Sequence, residues 1–298
     1  MLVDNQFVGV DMPHYFAIYG FEITKEIEFC NFIISPKVED FREAENLAKD
    51  TNQFNLTAVG KIKGVSNREE LFDLAAVLTF CQQQWVVVSN LYEFPEDTLS
   101  KQAIAKFPPV YETTNKRPCQ GAVIIQDVFD NEARKNYLEL CISRLRDQQF
   151  ENNTNFRKAY FRNVEIWRMP TQFIDVTYYY DFSALEILAR TFTQDYQTNN
   201  VAKVISELLN HYGFDVAQDN IHSRHLGMQT YAHLRNALFH NGSFEKSFQE
   251  KGVEITLKLI DYASYLSRLL PDVLLKVLGY DDNHINWNRW QDRMPFKG

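Results

Sequence analysis

Tyr231-Ala232-His233-Leu234-Arg235-Asn236-Ala237-Leu238-Phe239-His240-Asn241-Gly242 decides how the C-terminal half of this chain is built. At about 100° per residue, Tyr231, Leu234 and Leu238 line one side of a helix, and His233, Asn236 and His240 fall within about 60° of one another nearly opposite. Arg235 stands at the margin of the apolar stripe. Asn241-Gly242 stops the helix, because both residues tolerate the left-handed backbone that ends helices. A helix with two unlike stripes packs on one and presents the other.

Helical periodicity spreads outward from this segment over 131–149, 156–168, 174–191, 200–212, 226–240 and 253–278, with short polar joints such as 197–199 between. The economical fold for 131–280 is an all-α bundle, followed by a tail over 281–298. No repeat of 20 to 50 residues is visible, which argues against a solenoid. Upstream, 16–24 and 26–34 are rich in Phe, Ile and Tyr and read as strands, the second ended by Ser35-Pro36. A polar helix is expected over 40–49 and a strand over 54–62, closed by Gly64. Ser66 and Glu69 have capping-box spacing ahead of a helix over 71–80. Trp85 to Val88 reads as an interior strand. After Pro95, Pro108, Pro109 and Pro118, a last strand is expected over 122–128. Residues 1–130 thus form a mixed α/β recognition or regulatory domain, and the fold class is α+β.

The 298 residues are 45% hydrophobic and 14% aromatic, enough apolar surface to offset the entropy of ordering a chain this long. The net charge of -8 would oppose bulk binding to DNA or anionic membrane. Its distribution matters more. Residues 1–130 carry 11 basic and 19 acidic side chains, whereas 131–298 carry 20 of each. The helical half is therefore neutral, and it holds five of the seven histidines within 211–240. The N-terminus has neither the basic start nor the apolar run of a signal peptide, and no stretch is apolar enough for a membrane span, so a soluble cytoplasmic protein is expected. Cys30, Cys81, Cys119 and Cys141 are far apart and form no CxxC pair, so neither a zinc site nor a disulfide framework is expected. No GxGxxG, P-loop, GxSxG or HExxH motif occurs, and no metal or cofactor is called for.

The chemistry concentrates in two segments. A guanidinium with five donors, an amide and a titratable imidazole on one helix end suit a phosphodiester: Arg235 holds the phosphate and His240 moves a proton near neutral pH. Arg235-Asn236-Ala-Leu-Phe-His240, followed by Asn-Gly, resembles the R-x4-6-H motif of the HEPN family (higher eukaryotes and prokaryotes nucleotide-binding). Upstream, Tyr180-Asp-Phe-Ser-Ala-Leu-Glu186-Ile-Leu-Ala is similar to the "ALE" helix of Apea-like HEPN domains. The resemblance covers about residues 131–280. It implies a helical bundle that dimerises so that two motifs face each other across a composite cleft and cut RNA without a metal. By that resemblance Arg235 stabilises the scissile phosphate, His240 is general base or acid on the ribose 2′-hydroxyl or leaving oxygen, and Asn236 positions one of them.

Glu186 is the expected buried partner of Arg235, and His233 is expected to line the cleft. Tyr178, Tyr179 and Tyr180 suit base stacking or, more often at such positions, the core or a dimer interface, and His222 and His225 suit solvated or capping roles. An antiphage defence or toxin effector follows as the expectation, with RNA as substrate, a homodimer through the helical domain, and a regulatory protein or phage trigger at the N-terminal domain. The alternative is a non-catalytic HEPN-like binding or scaffold module, in which Arg235 and His240 merely close the bundle.

Overall fold

The computed structural model describes residues 14–63, 68–95, 100–119 and 121–281. Strands β1 (His14–Tyr19), β2 (Ile27–Phe29), β3 (Phe32–Pro36), β4 (Leu56–Ile62), β5 (Val87–Val88) and β6 (Tyr92–Glu93) form an antiparallel sheet ordered β2-β3-β4-β1-β5, with β6 also on β1. Alternation along β1 decides its faces. Phe16 and Ile18 point into the main core, and Tyr15, Ala17 and Tyr19 into a smaller cluster with Leu56, Val59, Ala103 and Phe107. Gly60 in β4 sits opposite Phe16, whose ring occupies the space a side chain would need.

Three strand expectations are corrected. The run 26–34 is a hairpin, folded back at Cys30-Asn31, where Cys30 takes a φ of 48° and Phe29 pairs with Phe32. Of 85–88 only Val87–Val88 pairs, at the end of the sheet path rather than inside it, because Trp85 turns edge-on to Phe54 at 5.1 Å. Residues 122–128 form no strand. Ala122, Val123 and Ile124 are buried by packing, with Val123 N–H bonded to the Cys81 carbonyl, and Asp127 accepts from the Thr24 and Lys25 N–H groups. The expected stop at Gly64 and cap at Ser66 lie outside the described residues.

Helix α1 (Phe41–Lys49) begins where Asp40 accepts from Glu43 N–H, and α2 (Arg68–Gln82) and the short α3 (Ser100–Ile104) complete the N-terminal part. Beyond it come α4 (Asn131–Arg146), α5 (Gln148–Thr154), α6 (Phe156–Arg168), α7 (Ile174–Thr193), α8 (Val201–His211), α9 (Met228–Asn241) and α10 (Leu259–Leu278). The helix expected over 131–149 breaks at Asp147, whose side chain caps α5.

The C-terminal part is not all-α. Residues 253–258, expected as helix, are strand β8 (Val253–Lys258), paired with β7 (Glu245–Glu250). Lys251 and Gly252, both at positive φ, make the two-residue turn between them. Val-Glu-Ile-Thr-Leu-Lys has the alternation and β-branching of a strand, but it runs straight into the apolar periodicity of α10 and was hidden by it.

Packing does not pause at residue 130. One apolar core runs from Phe16 and Ile18 through Leu74 and Val77 of α2 to Tyr137, Tyr160, Leu185 and Leu274. Fully buried Arg134 donates to the Glu22 carbonyl and stands 3.9 Å from Asp127. Arg157 meets Asp73 at 2.8 Å, and Arg117 donates to the Ile166 carbonyl at 2.5 Å. Among the described residues, no helix is long and apolar enough to cross a membrane.

Candidate active site at the end of α9

Helix α9 buries Met228, Tyr231, Leu234 and Ala237 against α7 and α8. Two hydrogen bonds fix its depth and rotation. The buried Tyr178 hydroxyl on α7 donates to the Tyr231 carbonyl at 2.7 Å, and the Tyr231 hydroxyl donates to the His225 carbonyl at 2.8 Å. Gly242, at φ 62°, ends the helix with its N–H on the Leu238 carbonyl at 2.9 Å. His240 is thereby held in the last turn, exposed, and makes no hydrogen bond to the other described residues.

Arg235 is half-buried and held from three sides. Its Nη1 donates to Asn236 Oδ1 at 3.0 Å, its Nη2 lies 3.8 Å from Glu186 Oε2, and its guanidinium sits 5.2 Å from the centre of the Phe239 ring. Nε is buried with no acceptor. Glu186 also accepts from Arg190 Nε at 2.8 Å, so one carboxylate serves two guanidinium groups. Arg190 in turn donates to the carbonyls of Asp195 and Thr198, tying the loop after α7 to the same cluster. The Glu186 pairing expected from sequence is present, in a half-buried setting where solvent screens part of it.

The polar stripe of α9 is divided. Asn236 and His240 are open, but His233 is covered by the β7–β8 hairpin, its ring stacked on Phe248 at 5.0 Å and its Nε2 3.4 Å from Gln229. Burial, with Lys246 nearby, holds its imidazole below the usual range. His233 therefore supports the helix and does not stand with His240. Across five residues Arg235 and His240 are turned about 140° apart and about 7.5 Å along the axis. The structure joins Glu186, Arg235 and Asn236 into one cluster and leaves His240 outside it, exposed in the last turn.

Aromatic side chains flank this cluster. Exposed Tyr179 on α7 packs against Phe239 with ring centres 5.1 Å apart, and Tyr180 lies 5.8 Å from Tyr179. Phe239 is the residue of this group that the motif does not mark; its place four residues after Arg235 on one helix face is the signal the sequence carries for it. Tyr178 is buried and belongs to the core. His225 stacks on Tyr265 at 5.3 Å. Among the described residues, no group of three or more His, Cys, Asp or Glu side chains is placed to hold a metal ion. No protein-family model, curated protein or solved structure matches the chain.

Proposed function

We propose that this chain is a metal-independent endoribonuclease of HEPN type, acting as a homodimer in the cytoplasm as an antiphage defence or toxin effector. The observation that supports the proposal is that α9 carries both an Arg235–Asn236 unit anchored on Glu186 and, in its last turn, an exposed His240. Arg235, oriented by Glu186, neutralises the scissile phosphate as charge grows on its oxygens. His240 takes the proton of the ribose 2′-hydroxyl as that oxygen attacks phosphorus, or delivers one to the departing 5′-oxygen. Asn236 positions one of these groups. Because Arg235 and His240 diverge around the helix, a second copy that brings its own pair to the phosphate supplies the group one copy turns away. Tyr179 and Phe239 offer stacking faces to unpaired bases. The acidic N-terminal part is the natural surface for a regulatory protein or phage trigger.

Purified protein incubated with total RNA in EDTA tests the proposal. Cleavage by the native chain should fall at least about a hundredfold in Arg235→Ala and His240→Ala. Cleavage unchanged in folded His240→Ala would overturn it. The three-sided engagement of Arg235 also suits a non-catalytic HEPN-like binding or scaffold module, and RNA left intact by the native chain favours that reading.

A further inference from the structure

The β7–β8 hairpin carries no third strand among the described residues. Its register fixes which backbone groups are left over. Glu250 opposite Val253 closes the turn, and at the other end Leu259 N–H donates to the Phe244 carbonyl. In an antiparallel pair, opposed residues alternate between exchanging hydrogen bonds and facing away. Leu257, Ile255 and Val253 therefore bond to β7, while Glu254, Thr256 and Lys258 turn their N–H and C=O groups to the open side of β8. All three side chains are exposed.

We propose that this open edge of β8 is where two copies of the chain join, antiparallel about a two-fold axis at Thr256, so that their hairpins merge into one sheet. In that register Thr256 N–H bonds to the carbonyl of the partner's Thr256, and the reverse. Lys258 N–H reaches the carbonyl of the partner's Glu254. The Lys258 carbonyl is taken by the first turn of α10, for which Lys258 is the N-cap.

Side chains fit the same register. Glu254 stands opposite the partner's Lys258 twice over, by symmetry. Among the described residues Lys258 pairs with exposed Glu245 at 3.5 Å, a screened contact that leaves it available. Val253 and Ile260, 59% and 71% exposed, lie at the two ends of the edge, and the pairing sets each near the other across the axis. Self-pairing through β7 would instead oppose Glu245 to the partner's Gln249 and gain no charge pair. An open edge of this length is otherwise a liability for uncontrolled strand addition. The inference rests on the proposed function only in calling for a second copy; its geometry owes nothing to catalysis.

The test is the oligomeric state of the full chain, without RNA, by sedimentation velocity over a concentration series, with folding checked by circular dichroism. The native chain should dimerise. Thr256→Pro removes an N–H that faces away from β7 together with the exposed hydroxyl contact to Ser247. The backbone ladder of the hairpin is kept, as Thr256→Ala, which loses only that contact, serves to check, while the dimer Kd of the proline variant rises about tenfold or more. Glu254→Lys alone and Lys258→Glu alone each oppose like charges twice and should be monomeric, whereas their equimolar mixture should form a heterodimer. A native chain that stays monomeric overturns the inference. So does a dimer whose Kd ignores Thr256→Pro, or single charge variants that dimerise as well alone as mixed. Because no RNA is present, these results stand apart from loss of cleavage in Arg235→Ala.

Discussion

Asp181 lies on α7 between the Tyr178 that pins α9 and the Glu186 that holds Arg235. It is fully buried, accepts a 2.5 Å hydrogen bond from the Ser267 hydroxyl on α10, and has its other oxygen unpartnered. Burial pushes its carboxyl from 3.8 to about 7, outweighing Ser267 and the Arg117 guanidinium, which favour the anion. The folded chain therefore keeps a proton that the unfolded chain gives up above pH 3.8. The stability this contributes is fully present below about pH 4 and is lost as pH rises through about 7. Three pH units at about 1.4 kcal/mol each make the full effect about 4 kcal/mol, of which about 2 to 3 kcal/mol falls between pH 5 and pH 8. Asp181→Asn keeps the shape of the neutral acid and does not titrate. Urea unfolding of both proteins from pH 5 to pH 8 should show the variant gaining on the native chain by that amount as pH rises, whatever constant offset the amide introduces. Other titrating groups, Glu22 and His233 among them, act equally in both proteins and drop out of the difference. A gap between the two proteins that stays constant within about 0.5 kcal/mol would refute the reasoning.

Three further outcomes follow from the geometry. Glu186→Gln removes the charge shared by Arg235 and Arg190, so kcat for RNA should fall about tenfold or more while KM does not rise; an unchanged kcat would remove Glu186 from the positioning of Arg235. Gly60→Ala would place a Cβ 2.0 Å from the Phe16 ring, so thermal unfolding should show a loss of about 1 to 3 kcal/mol, and an unaltered Tm would mean the ring is free to move. Tyr178→Phe deletes a buried donor to the Tyr231 carbonyl and should cost about 1 kcal/mol in urea unfolding, a cost whose absence would show that α9 does not depend on that bond.

What was legible in the sequence is what one segment decides for itself. The apolar side of α9, its Asn-Gly stop and the α6 span follow from local periodicity, and the chain folds as these patterns dictate. Glu186 is legible because a carboxylate on an apolar helix needs a cation. The rest depended on pairing between distant segments. Strand β8 merges in sequence with α10, and only β7 across the Lys251-Gly252 turn distinguishes it. Without the hairpin His233 reads as open, since nothing in the α9 sequence announces that Phe248 covers it. At 122–128 an apolar run looked like a strand because burial by packing and burial in a sheet leave the same composition.

The core that continues across residue 130 has a thermodynamic consequence. Elements that share one core unfold together, so stability added at one place is added to all of them. A protein or small molecule that binds the sheet at a hundred times its Kd would stabilise the whole cooperative unit by about 2.7 kcal/mol. Helix α9 belongs to that unit. A ligand on the N-terminal sheet would then be felt at the end of α9 as reduced fraying of the helix, with no part of the chain needing to swing away. Calorimetry of the full chain would register this as a single transition moving upward with ligand.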